Sequence, residues 1–254
     1  MLIHLSSNQW SLITNSFELC AIALLATAIY VLTMQSRVLF KYRNLIALAS
    51  VMCLIDFISY VQFLFSFVSA SVGNDVLIGV GHSAFDHSSR YVSWIICLPI
   101  QATLLIKLVA SNQRAATLLQ RRTLPALIIV LLLGYIGEIN SQFLLPVGLL
   151  SMVVFTFAVW SIFIPLDPLL EELSTNVSLR YRRIRALMVF LWCIYPALYF
   201  LNSSSGLNTD LSNFLVVQQI IIVATDLLSK AYFSLEIFKI ARLKSNEEGL
   251  PSYE

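Results

Sequence analysis

Seven predominantly apolar stretches, near 11–34, 44–70, 90–110, 124–142, 145–166, 184–202 and 212–238, limit what this chain can fold into. Each is roughly 20 residues long, the length an α-helix needs to cross the hydrocarbon core of a bilayer. Inside lipid every backbone amide must bond within its own segment, so runs of this length are helices. Composition agrees: 58% of the 254 residues are hydrophobic and 12% charged, with a mean hydropathy of +0.82, which excludes an ordinary soluble domain. The expected fold is all-α, a bundle of seven transmembrane helices over 1–241 with a short charged tail over 242–254.

Thirteen of the sixteen Lys and Arg residues lie in alternate connections: Arg37, Lys41 and Arg43; Arg114, Arg121 and Arg122; Arg180, Arg182, Arg183 and Arg185; and Lys239, Arg242 and Lys244. Basic residues mark cytoplasmic connections, so the N-terminus is expected outside and the C-terminus in the cytoplasm. The net charge of +2 reflects that asymmetry and gives no reason to expect nucleic acid as a partner. No basic residue precedes the first run, and its apolar stretch exceeds a signal-peptide core, so it is expected to remain as a membrane helix. Cys20, Cys53, Cys97 and Cys193 all fall inside runs without CxxC spacing, which predicts buried thiols and neither disulfides nor a zinc site.

Charged groups inside the runs carry the functional signal. Lys230 lies within the apolar stretch from Phe214 to Ile240, where a lysine costs roughly 3 kcal/mol even on lenient insertion scales. Asp226 precedes it by four residues, so both stack on one helix face. A desolvated lysine beside a carboxylate is the amine most readily held as a Schiff base to a carbonyl cofactor, although a plain structural ion pair satisfies the same spacing. Asp56 is a second intramembrane acid. Cys53 and Tyr60 share its face, and with no basic residue in its own run it must point into the bundle.

Arg90, Ser93, Trp94, Cys97, Gln101 and Leu104 form one stripe of the third run, polar at the outer end and dry at the inner, with Pro99 expected to kink the helix. Trp192, Tyr195, Pro196 and Tyr199 make a similar stripe in the sixth, where ordinary packing is the simpler use of three rings. Glu236 and Lys107, near inner ends, fit either snorkelling or a proton path. Residues 71–89 read as a solvated outer loop in which His82, Asp86 and His87 are metal-site candidates. Residues 166–183 mix Asp167, Glu171 and Glu172 with arginines and read as a solvated inner loop rather than a lipid site.

Together, Asp226-x-x-x-Lys230, Arg90-Tyr91-x-x-Trp94 with Pro99, Trp192-x-x-Tyr195-Pro196 and Gly134-Tyr135-Ile136-Gly137-Glu138 resemble the microbial (type I) rhodopsins over all seven spans. The last motif is similar to that of the proteorhodopsin and xanthorhodopsin branch. The resemblance implies all-trans retinal bound covalently to Lys230, with Trp94, Trp192 and Tyr199 confining the polyene and Pro196, Gln101 and Cys97 completing the pocket. Tyr195 would sit near Asp226, the counterion, and Arg90 would balance that acid from the outer side. It also implies a photoreceptive protein without enzymatic turnover, in the lipid bilayer of a microbial cell membrane, as a homo-oligomeric ring of three or five copies.

Departures from the family pattern bear on the ion. Outward proton pumps of this family have a carboxylate three residues after the arginine, where this chain has Ser93, and a cytoplasmic donor carboxylate where it has Leu104. The threonine of that motif is Cys97 here. A serine hydroxyl is no proton sink at ordinary pH, so conventional outward pumping is not expected. Asp56, aligned on Tyr60, falls where channel-forming rhodopsins can carry a glutamate, and is expected to be a replacement counterion or a neutral gate. The expected function is light-driven or light-gated ion transport, of chloride drawn to the Ser93 position or of protons moving inward with Glu236 as acceptor. The alternative is a photosensor signalling through a separate partner. Gln101 implies blue-shifted absorption, while loss of a carboxylate near the Schiff base works toward red.

Overall fold

A computed structural model describes residues 2–73, 75–79, 84–110, 113–140, 142–204 and 210–249, and in it each apolar run becomes one helix. These are α1 (Ser7–Thr33), α2 (Phe40–Ser69), α3 (Arg90–Val109), α4 (Gln113–Ile139), α5 (Leu144–Glu171), α6 (Thr175–Ser204) and α7 (Leu211–Glu247). All seven are long and apolar enough to cross a membrane. Large apolar side chains such as Ile22, Phe65, Val92, Val153 and Phe190 point outward, the arrangement expected where the surrounding solvent is lipid.

The helices outrun the hydrophobic runs, because charged side chains can leave the membrane without breaking the backbone ladder. α4 begins at Gln113 rather than near 124, so Arg114, Arg121 and Arg122 are helical, and α6 begins at Thr175 rather than near 184. The expected inner loop over 166–183 shrinks to residues 172–174. Arg185 is not solvated: it is buried between α5 and α6, where Nη2 donates to Asp167 Oδ1 at 2.6 Å and Nη1 to the Phe163 carbonyl at 3.1 Å. Its guanidinium also lies 4.2 Å from the centroid of the Phe163 ring. α7 continues to Glu247, so the first residues of the expected tail are helical. Cys193 is exposed on α6, unlike the buried Cys20, Cys53 and Cys97, because an apolar thiol gains little by leaving lipid for protein.

At the end of the bundle next to the N-terminus the all-helical expectation needs an addition. Strands β1 (Leu2–His4), β2 (Ser71–Val72) and β3 (Asp75–Leu77) form an antiparallel sheet in the order β1-β3-β2, with Ile3 and Ser71 both opposite Val76. Gly73, at φ +63°, supplies the left-handed residue at the turn between β2 and β3. Alternation turns Ile3 and Val76 inward, where with Leu5 and Phe85 they cap an aromatic cluster of Phe17, Tyr60, Phe63 and Phe67. Part of the loop expected to be solvated is therefore a lid. The half of the bundle away from the sheet is packed by Leu104, Leu105, Met188, Phe233, Ile237 and Ile240, all fully or nearly fully buried.

Candidate functional site

α7 changes pitch where it carries the central amine: Leu227–Tyr232 is π-helical. A π turn shifts the backbone ladder by one residue, and its carbonyls take partners from neighbouring helices. Gln101 Nε2, on α3, donates to the Ser229 carbonyl at 2.7 Å, and Cys53 Sγ, on α2, donates to the Lys230 carbonyl at 3.7 Å.

Lys230 is buried, and its Nζ meets two carboxylates. It pairs with Asp226 Oδ1, one helical turn earlier, and with Asp56 Oδ2 on α2 at 3.3 Å. Asp226 is held from several sides: Tyr60 Oη donates to Oδ2 and Tyr195 Oη to Oδ1, each at 2.6 Å, and Arg90 Nη1 lies 3.9 Å from Oδ2. Asp56 is more sparsely held. Cys97 Sγ lies 3.8 Å from its Oδ1, and among the described residues the contact of Oδ2 is its ion pair with the lysine. Two acids thus face two cations, Lys230 and Arg90, in a fully buried group.

Arg90 stands in an aromatic cage, 4.4 Å from the ring centroid of Phe63, 5.6 Å from that of Phe17 and 5.7 Å from that of Tyr60. Its Nη2 donates to Gln219 Oε1 at 2.5 Å, and Gln219 Nε2 reaches His87 Nδ1 at 3.3 Å. Sequence reasoning missed Gln219, although it stands seven residues before Asp226 and therefore on the same face of α7. Ser93 is buried, with its hydroxyl donating to the Arg90 carbonyl at 3.1 Å.

Beyond the amine an apolar slot opens between α3, α4, α5 and α6. Trp94, Cys97 and Gln101 line it from α3, and Trp192, Tyr195, Pro196 and Tyr199 from α6. Gln101 ties the two walls, since its Oε1 accepts from Trp192 Nε1 at 2.9 Å. Glycines let the tyrosines close in: a Cβ at Gly148 would stand 2.7 Å from Tyr199 Cε1, and one at Gly134 would stand 2.9 Å from Tyr91 Cε1. The Tyr199 hydroxyl donates to the Leu144 carbonyl at 2.9 Å.

Other candidates lie elsewhere. Glu236 is buried toward the end away from the sheet and pairs with Arg180 and Lys239, while Lys107 is exposed. Asp86 caps the turn before α3 by accepting from Ser88, and His87 turns to Gln219. His82 lies outside the described residues, and no metal-ligating group of three occurs among those described.

A dry slot walled by flat rings, with one reactive amine at its end, suits a long apolar aldehyde bound as a Schiff base. Seven membrane helices around such a lysine define a retinal protein of the microbial rhodopsin class. A family model described as bacteriorhodopsin-like protein matches residues 11–243, and the chain belongs to that family. It is 23% identical over 234 residues to the green-light absorbing proteorhodopsin of Gamma-proteobacterium EBAC31A08, covering 91% of this chain and 87% of that one. Among solved structures, thermophilic rhodopsin superposes with a TM-score of 0.90 at 25% identity, covering 98% of this chain and 100% of that one. Xanthorhodopsin, described as a light-driven ion pump with dual chromophore, gives 0.89 at 24%, covering 99% and 100%. The protein is accordingly a light-driven rhodopsin of the microbial cell membrane, carrying retinal covalently on Lys230.

Proposed function

We propose that this protein is a light-driven outward proton transporter in which Asp56 of α2 does the proton exchange that Ser93 of α3 cannot. The observation that carries the reading is the 3.3 Å separation of Asp56 Oδ2 from Lys230 Nζ, within reach for proton exchange. The expectation against outward pumping rested on α3 alone, and a carboxylate from α2 supplies the acceptor that α3 lacks.

The two acids have different tasks. Hydrogen-bond donors stabilise a carboxylate's charged form, and Asp226, bonded to Tyr60 and Tyr195, acts as the fixed anion. Asp56, with fewer donors, is the acid available to take a proton. Because Asp56 and Asp226 balance Lys230 and Arg90, the cluster has no charge deficit at Ser93 for a chloride to fill. Retinal, when bound, supplies a light-triggered double-bond rotation beside the proton at Nζ. Trp94, Trp192 and Tyr199 restrict that movement, and Tyr195 keeps Asp226 in place.

Direction follows from what lies on either side. Toward the sheet end, Arg90, Gln219 and His87 continue the polar contacts from Asp226. Toward the inner end stand Leu104, Leu105, Phe233 and Ile237, buried and apolar. The longer run of polar contacts leads toward the sheet, so the proton released from the cluster leaves on that side, which the basic residues predict to be the outside.

Light-induced pH change in cells supplied with retinal tests this, in chloride and in sulfate, with and without a protonophore. The expected result is acidification of the medium, equal in both salts and abolished by the protonophore. Alkalinisation abolished by the protonophore would mean inward proton movement, and alkalinisation confined to chloride an anion pump. A coloured, photocycling protein with no signal in any salt would point to a sensor. Any of these overturns the proposal.

A further inference from the structure

We infer that the groove between α1 and α7 at the basic end of the bundle is a binding site for an anionic phospholipid. The groove has a volume of about 800 Å³. Tyr30 of α1 and Leu235 and Phe238 of α7 give it apolar walls, with the Tyr30 and Phe238 rings edge to face at 6.3 Å. Arg180, Lys239 and Arg242 bring positive charge to the same groove. An acyl chain fits the first set of residues and a phosphodiester the second.

Charge arithmetic selects the headgroup. Glu236, buried beside the groove, accepts from Arg180 Nη1 at 2.9 Å and from Lys239 Nζ at 2.8 Å, which fixes both cations in position. Arg242 makes no ion pair among the described residues. Three cations face one carboxylate, so the groove keeps a surplus of two positive charges. Lys239 and Arg242 lie toward the end of α7, and Leu235 stands one turn before Lys239, toward the middle of the span. Basic pockets between membrane helices on the cytoplasmic side are suited to anionic lipid headgroups. A zwitterionic headgroup brings its own cation to a place already rich in them. Arg180, helical on α6, is joined to α7 by its ion pair with Glu236.

The inference is independent of which ion the protein moves. To test it, the retinal-bound protein is placed in nanodiscs of equal parts phosphatidylglycerol and phosphatidylcholine, and retained lipid is counted by native mass spectrometry. Wild type should keep phosphatidylglycerol over phosphatidylcholine by about thirtyfold, two cations each contributing about a factor of five. The double variant Lys239→Gln, Arg242→Gln should lose most of it with its visible band unchanged, which reports an intact fold. The control Arg121→Gln, Arg122→Gln, at exposed positions on α4, should retain it. Equal retention of both lipids by wild type, or a preference that survives the double variant, would overturn the site. So would loss in the α4 control, which would reduce the effect to overall charge. Inorganic phosphate should leave the bound lipid in place; displacement by phosphate alone would show an anion site without a lipid site.

Discussion

Replacing Asp56 by Asn removes a charge 3.3 Å from Lys230 Nζ while keeping the shape of the side chain. Two unit charges at that distance attract by about 5 kcal/mol at an effective dielectric of about 20. The four buried charges that now cancel become a net positive one in the variant. A chloride ion held beside the new amide at a similar distance from Nζ regains up to that amount, less the cost of drying it, and about 4 kcal/mol corresponds to a dissociation constant near 1 mM. The visible band of D56N should therefore move on titration with sodium chloride between roughly 1 and 100 mM, and stay still in sulfate, whereas the wild-type band ignores both. Light-driven proton transport should fall by about a hundredfold, the lower end of what a positioned acid or base contributes. A D56N protein that transports at the wild-type rate, or a wild-type band that follows chloride, would refute the charge balance and with it the role given to Asp56.

Gly148→Ala places a Cβ 2.7 Å from Tyr199 Cε1 and 3.1 Å from Phe200, and overpacking of this kind costs about 1–3 kcal/mol, so thermal bleaching should set in at a lower temperature. Gln101→Leu leaves Trp192 Nε1 and the Ser229 carbonyl without this partner, at about 1–3 kcal/mol for each buried group. Its absorption maximum should move to longer wavelength, since the change takes a polar amide away from the pocket wall; an unmoved or blue-shifted band counts against a tuning role. Burial pushes the Glu248 carboxyl up, but contacts from Lys41 at 2.6 Å and Tyr42 at 2.8 Å outweigh it and hold the group below its ordinary value. A depressed carboxyl contributes stability that is present above its unfolded value, near pH 4.3, and lost as pH falls through the folded value. Wild type should thus lose its margin of heat stability over Glu248→Gln as the pH falls below about 4.5, with the variant free of that loss.

How much of this was legible depends on the range of the interaction. Seven helices could be read from seven apolar runs because the bilayer fixes their length. Their ends could not, since Arg114 or Arg182 continues a helix as readily as it leaves the membrane. Strands of two or three residues leave no periodicity to read, and β1 finds β3 only through a pairing some seventy residues distant in sequence. Within the site, Asp226 with Lys230 and Trp192 with Tyr195 were visible as spacings on single helices. Asp56 could be recognised as an inward-facing acid, but its distance from Lys230 depends on how α2 packs against α7. The same holds for Glu236, whose partner Arg180 belongs to another helix, and for Arg185, whose burial needs Phe163 and Asp167 of α5.

The π-helical stretch of α7 can be viewed as slack. It stores one residue beyond what a regular ladder would use, next to the atom that has to move. Above it, Gln219 is tied to Arg90; below it, the Ser234 hydroxyl donates to the Ala49 carbonyl on α2 at 3.3 Å. With both ends moored, a twist at Lys230 can be taken up by carbonyls trading one amide partner for the next, and neither end of the helix has to slide. Deleting one residue from the stretch would regularise the ladder and leave the moorings where they are. It would also pass every displacement of the amine directly to the helix ends.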